Sequence, residues 1–321
     1  MQGSMISARL CLSLAVGTLL FVSACGDGAS SGSPAGPEGS GEIHEITIEV
    51  GEFVFDARVA GPEGGEPVIL LHGFPSTSWQ WKNQLAALGL AGYRAVAPNQ
   101  RGYSPGARPE GVENYNLTFL IGDVLGMADA LGFERFHLVG HDWGAGVAWG
   151  TAVVAPQRLL TLNPISVPHP DAMAAELADP TSCQYQASSY FDFFVQPGSE
   201  ENFIANDNAL LKSIFEGVPP EDVAVHVETL GNREAMRAGL NWYRANITDR
   251  SSLTPSAVGS ISVPTMFIWS DADTALCREG AEATGDYVDA PYQFHVIERV
   301  NHWVTENAPE EVSALLLGHL G

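Results

Sequence analysis

After an opening apolar stretch at residues 10–22, short apolar runs of strand length alternate with longer stretches of helical spacing. Residues 44–50 and 53–59 read as two strands, and 67–71 as a buried one. A helix is expected over 79–90, then a strand over 93–97. Residues 117–131 carry apolar side chains at helical spacing. A strand at 136–139, a helix at 147–155 and a strand at 159–165 follow. Regular alternation then stops. From Pro168 to about Gly259 the apolar positions favour helices without a clear strand. Aromatic residues crowd there: Tyr185, Tyr190, Phe191, Phe193, Phe194, Phe203, Trp242 and Tyr243. Alternation resumes with a strand at 264–269, a helix near 279–284, a strand at 292–297 and a last helix at 310–320.

Strands separated by helices predict the α/β class, a mostly parallel eight-stranded sheet with helices on both faces. The helical stretch, 168–259, reads as a lid inserted after the sixth strand of a core made of residues 43–167 and 260–321. In such sheets the chemistry gathers at the carboxyl ends of the strands. One of those ends carries the most informative motif, Gly140-His141-Asp142-Trp143-Gly144, between a strand and a small-residue helix. Glycines around a sharp strand-to-helix turn lift the central side chain above the sheet, at a helix N-terminus. An aspartate there suits attack on an sp³ carbon, since the product is an alkyl ester that water can cleave. Attack on an acyl carbon would give an anhydride instead. Epoxides and alkyl halides therefore come before esters and amides. The alternative role for Asp142 is to cap the following helix.

Other loops at strand ends supply candidates. His302 lies in Val300-Asn301-His302-Trp303, between the last strand and the last helix. Asp271 and Asp273 both follow the strand at 264–269. His72-Gly73-Phe74-Pro75 follows the strand at 67–71. Over residues 42–321 these motifs resemble the alpha/beta-hydrolase fold and, within it, the epoxide hydrolases, with the related haloalkane dehalogenases second. The resemblance implies an Asp142 nucleophile, a His302 base and Asp273 as the acid that orients it. Ser270 stands where the family's glycine is usual, and Asp271 remains a second candidate for the acid. The same likeness makes the backbone N–H groups of Phe74 and Trp143 an oxyanion hole, and His141 a structural residue. Tyr190, in Ser189-Tyr190-Phe191-Asp192, and Tyr243, in Asn241-Trp242-Tyr243-Arg244, match the two lid tyrosines that protonate an epoxide oxygen. A dehalogenase would instead hold a halide with N–H donors. Trp143 suits either reaction, whereas Phe74 sits at the other donor position and cannot donate. A small apolar epoxide-type substrate is expected, and the scheme needs no metal or organic cofactor. A non-catalytic, lipid-anchored binding protein is the reading from a different class.

Charge and cysteines add location. The chain of 321 residues has a formal net charge of −23, which argues against nucleic-acid binding. Arg9 precedes the apolar stretch at 10–22, which is short for a membrane span and ends in Val22-Ser23-Ala24-Cys25. Residues 1–24 are expected to be a signal peptide of bacterial lipoprotein type, with Cys25 the lipid acceptor. An ordinary secretory signal cleaved near Ala24 is the other possibility. Residues 25–42, rich in Gly, Ser and Pro, read as a flexible tether. The chain would then work outside the cytoplasm, anchored to a bacterial membrane. Export permits a disulfide between the two remaining cysteines, Cys183 and Cys277. They show no metal-ligand spacing.

Overall fold

The computed structural model describes residues 39–247 and 258–321. The expected signal, Cys25 and most of the tether lie outside the described residues, as do residues 248–257 of the expected lid. Eight strands form one sheet: β1 His44–Val50, β2 Phe53–Ala60, β3 Pro67–Leu71, β4 Arg94–Pro98, β5 Phe136–His141, β6 Leu159–Ile165, β7 Thr265–Ser270 and β8 Tyr292–Ile297. Their order is β1-β2-β4-β3-β5-β6-β7-β8. Only β2 runs against its neighbours, pairing antiparallel with β1 and β4, while the pairs from β4 to β8 are parallel. The sheet expected from the apolar pattern is thus present, with its antiparallel part at one edge.

Helices α1 (Lys82–Leu90), α2 (Leu117–Ala130) and α3 (Trp143–Val154) fall between the first six strands. Between β6 and β7 come α4 (Pro170–Leu177), α5 (Cys183–Ala187), α6 (Phe191–Phe194), α7 (Glu200–Ile214), α8 (Pro220–Leu230) and α9 (Arg233–Asn246). Helices α10 (Arg278–Ala283), α11 (Val304–Asn307) and α12 (Pro309–Leu320) complete the chain. The central strands are apolar throughout because both faces are covered. Alternate side chains enter opposite cores. Ile69, Leu71, Leu138 and Phe267 pack with Val124 and Met127 of α2 and Val147 and Ala148 of α3. Val68, Leu70, Val139, Met266 and Ile268 pack with Leu85 and Leu88 of α1 and Val312 and Leu316 of α12. Fully burying each such side chain contributes roughly 1.5–3 kcal/mol.

Two helix starts differ from the sequence expectation by three residues or more. The segment expected to be helical from residue 79 opens as a 3₁₀ turn, Ser78–Trp81, whose entry is capped by the Thr77 hydroxyl accepting from Trp79 N–H at 3.3 Å. Helix α3 begins at Trp143, not Val147. Glycines obscured its start, yet they are required there: a Cβ on Gly144 would collide with the carbonyl of Leu71.

Helix α9 positions the insertion over the sheet. Asn232 caps it by accepting from Ala235 N–H at 3.0 Å. The Trp242 indole N–H donates to the carbonyl of Arg101, in the loop after β4, at 2.9 Å. Arg244 ties α9 to the start of α7 through Glu200, at 2.7 Å between side chains that are both largely buried. Helix α7 is broken at Asn206, Asp207 and Asn208, which take left-handed backbone with φ of 51°, 56° and 58°. Asn and Asp tolerate that region better than other non-glycine residues.

Cys183 of α5 and Cys277, just before α10, form a disulfide across 94 residues of sequence. Closing a loop of that size in the unfolded chain corresponds to about 4.7 kcal/mol of stability. The double variant Cys183→Ser/Cys277→Ser should therefore melt about 10 °C lower by calorimetry.

Candidate active site

The turn after β5 is strained. Asp142 has φ 54° and ψ −124°, a region that non-glycine residues rarely enter. The turn holds because the strand ends in the sheet at His141 while the α3 ladder begins at once, with Ala145 N–H donating to Asp142 O at 2.9 Å. Strain of this kind keeps the carboxylate above the strand ends. Opposite it lies the loop after β3, where a Cβ on Gly73 would overlap the Asp142 side chain. His72, fully buried, pins that loop: its Nδ1 donates to Gly73 O at 2.9 Å, and Nε2 accepts from Gln100 N–H at 3.1 Å. Burial pushes its pKa down to about 3, so it stays neutral.

The two backbone donors expected of an oxyanion hole converge on the Asp142 carboxylate itself. Phe74 N–H donates to Oδ1 at 2.8 Å, and Trp143 N–H also reaches the carboxylate. The other oxygen, Oδ2, lies 3.7 Å from His302 Nε2. One carboxylate oxygen is therefore held and the other faces a base. Burial raises the Asp142 pKa above the usual carboxylate range, against the opposing pull of His302 and the two N–H groups.

His302 is brought to Asp142 by the loop after β8. Its Nδ1 lies 2.8 Å from Asp273 Oδ2. Asp273 has no exposed side-chain surface, and its Oδ1 accepts from the N–H groups of Ala275 and Leu276 at 2.8 and 3.0 Å. Asp271 is elsewhere: it is exposed, and its carboxylate accepts from Arg299 N–H. Burial alone would lower the His302 pKa, but Asp273, then Asp142 and Glu306, outweigh it and raise the group to about 9. His141 lies beneath, fully buried, its ring 4.7 Å from that of His302. Its Nε2 donates to the His302 carbonyl at 2.9 Å, because a carbonyl can only accept. Burial, followed by the nearby His302, pushes the His141 pKa well below normal.

Tyr190 and Tyr243 come from the insertion, from the turn after α5 and from α9, with ring centroids 6.4 Å apart. Both pKa values are pushed well above normal by burial and then by Asp142, so both stay protonated donors. The Trp143 side chain hydrogen-bonds Tyr243. Two cavities meet at this point, of about 400 Å³ and about 550 Å³, and Asp142, Tyr190 and Tyr243 line both. Phe74, Phe194 and Phe203 wall the first, and Leu117, Ile121 and Met173 the second. Such volumes suit small apolar ligands. Two residues escape a reading of the sequence: Glu306, four positions beyond His302, whose charge acts on it, and Gln184 beneath the Asp273 loop, whose partners Ala275 and Cys277 lie 91 and 93 residues away.

Known proteins share this framework. Residues 68–315 match the model of the alpha/beta hydrolase family. The AB hydrolase superfamily protein YfhM of Bacillus subtilis is 36% identical, over 85% of this chain and 96% of that protein. Epoxide hydrolase A of Mycobacterium tuberculosis is 30% identical, over 81% and 92%. Among solved structures, epoxide hydrolase A from Mycobacterium thermoresistibile superposes with a TM-score of 0.75 at 27% identity, over 87% of this chain and 98% of that one. An epoxide hydrolase from hot-environment metagenomes gives 0.79 at 28%, with the same coverage. The topology, the turn that lifts Asp142 and a match running through most of the described residues agree: the chain belongs to the alpha/beta hydrolase family.

Proposed function

We propose that this enzyme hydrolyses an apolar epoxide to a vicinal diol through an ester on Asp142. The observation that carries the reading is the pair of protonated phenols, Tyr190 and Tyr243, facing Asp142 where the two cavities meet. The names of the relatives and structural neighbours point the same way. An alkoxide is a poor leaving group, so ring opening needs an acid at the oxygen. Asp142 Oδ2 attacks a ring carbon, the C–O bond breaks, and one phenol gives its proton to the ring oxygen. The product is a hydroxyalkyl ester, with Oδ1 already held by Phe74 N–H and the Trp143 N–H beside the same group. His302, oriented by Asp273, then takes a proton from water, and the hydroxide adds to the ester carbonyl. The oxyanion forms on Oδ1, where fixed donors are worth several kcal/mol. Collapse breaks the acyl C–Oδ2 bond; the departing alkoxide takes the proton of the added hydroxyl, leaving the diol and an Asp142 carboxylate, and the proton held by His302 returns to the phenolate.

Halide release shares the Asp-His-Asp set but is less well served. The phenyl ring of Phe74 donates nothing, and the Trp143 side chain is engaged with Tyr243. Tyr190→Phe and Tyr243→Phe should each slow diol formation about 10²-fold, and the double variant should abolish it. Diol yield from styrene-oxide-like epoxides, set against halide release from bromoalkanes, checks this. Wild-type halide release exceeding diol formation, or a double variant that still makes diol, would sink the reading.

We also propose that the chain is exported and tethered through Cys25. The Cys183–Cys277 disulfide supports an oxidising compartment. Radiolabelled palmitate incorporation that persists in Cys25→Ala would overturn the tether.

A further inference from the structure

The loop behind the acid is gripped from the insertion by one side chain. Gln184 of α5 is buried to 1% exposure and uses both ends of its amide. Its Nε2 donates to Ala275 O at 2.8 Å and to Ser188 Oγ at 2.9 Å. Its Oε1 accepts from Cys277 N–H at 2.9 Å. The neighbouring residue, Cys183, is covalently joined to Cys277. Each partner leads directly to the site. Ala275 and Leu276 supply the two N–H groups that hold Asp273 Oδ1. Ser188 opens the short turn Ser188–Tyr190, which ends in the phenol facing Asp142.

We infer that Gln184, backed by the Cys183–Cys277 disulfide, is a positioning residue that sets Tyr190 and Asp273 in one fixed relation to Asp142. The inference rests on the reaction proposed above. Its chemistry is specific. Only an amide of this length accepts one bond and donates two in the same plane. Ser188 and Cys277 are buried and Ala275 is half-buried, so little water reaches these partners when the amide is removed. The brace joins the acid used in ring opening to the carboxylate that orients the base for ester hydrolysis. Loosening it should therefore affect two chemically different steps together, which the loss of Tyr190 alone would not do.

The test compares Gln184→Met, which keeps the volume and removes the hydrogen bonds, with Gln184→Glu, which keeps the acceptor for Cys277 N–H. Rapid-quench mass spectrometry with a styrene-oxide-like epoxide follows formation and decay of the ester per trapped active site. Both rates should fall at least about tenfold in Gln184→Met, as expected for sub-ångström misplacement, and less in Gln184→Glu. The His302 imidazole resonance in NMR, identified by its loss in His302→Gln, should titrate about one pH unit lower in Gln184→Met as Asp273 loses its fixed orientation. A variant that melts lower but keeps both rates within about twofold of wild type, which is less than 0.5 kcal/mol in either barrier, overturns the inference. So does slowing of one step alone, or an unmoved His302 titration. If wild type forms no ester, the reaction reading fails, and the His302 titration still decides the brace. If neither Gln184 variant folds, Cys183→Ser/Cys277→Ser replaces them: a joint fall of the two rates supports the brace, and unchanged rates overturn it.

Discussion

Asp142→Asn should fold, make no diol from any epoxide and carry no covalent adduct. The amide oxygen is a weak nucleophile, so kcat should fall by roughly 10⁵-fold or more, the scale seen when a covalent nucleophile is removed. The substitution also separates catalysis from stability. Asn keeps an oxygen that can accept from Phe74 N–H and Trp143 N–H while removing a charge that burial disfavours. The melting temperature should therefore equal or exceed that of wild type, as happens where an active site is built at the expense of stability. Calorimetry and intact mass spectrometry after epoxide exposure check both halves. Residual diol at a tenth of the wild-type rate would remove Asp142 from the nucleophile's place, since that is a cost of only about 1.4 kcal/mol.

His302→Gln should do the opposite, forming the ester and failing to release it. Ester should accumulate to one per enzyme while steady-state turnover falls by about 10³ to 10⁴-fold, the size of a general-base contribution. The pH dependence goes with it. In the free enzyme Asp273, Asp142 and Glu306 raise His302 to about 9. On the proposed route, alkylation would turn Asp142 into a neutral ester and remove one of these anions, releasing the base for its task only once there is an ester to hydrolyse. Wild-type ester decay should rise with pH through a midpoint below 9, and the limb should be absent in His302→Gln. Quenched single-turnover traces across pH give both results, and a decay that slows as pH rises would contradict the assignment.

The parts of this site that the sequence made legible are those set by chain order and turn chemistry. Gly140 and Gly144 flanking Asp142 announced a sharp turn, and the apolar runs announced the sheet beneath it. The resemblance pointed to Asp273 and kept Asp271 as a second candidate, because both follow β7 and the difference lies in three dimensions. One carboxylate turns back to Arg299 N–H on the surface, and the other is buried against His302. Cys183 and Cys277 were two cysteines with an open question, since a separation of 94 residues says nothing about proximity. Gln184 gave no signal at all. A glutamine in a polar-looking stretch, Ser182-Cys183-Gln184, reads as surface until the loop it supports is seen lying over it.

If the reaction runs through an ester on Asp142, the unequal treatment of its two oxygens would give the enzyme an isotopic memory. Oδ1 is clasped by backbone and Oδ2 is left to react. On the proposed ester route, the atom that departs with each diol would be one the protein owned before the substrate arrived, and solvent oxygen would refill the vacancy. In ¹⁸O-water the first diol should emerge unlabelled. If the clasp prevents the carboxylate from flipping between turnovers, the second should be labelled fully, with no interval of mixed product.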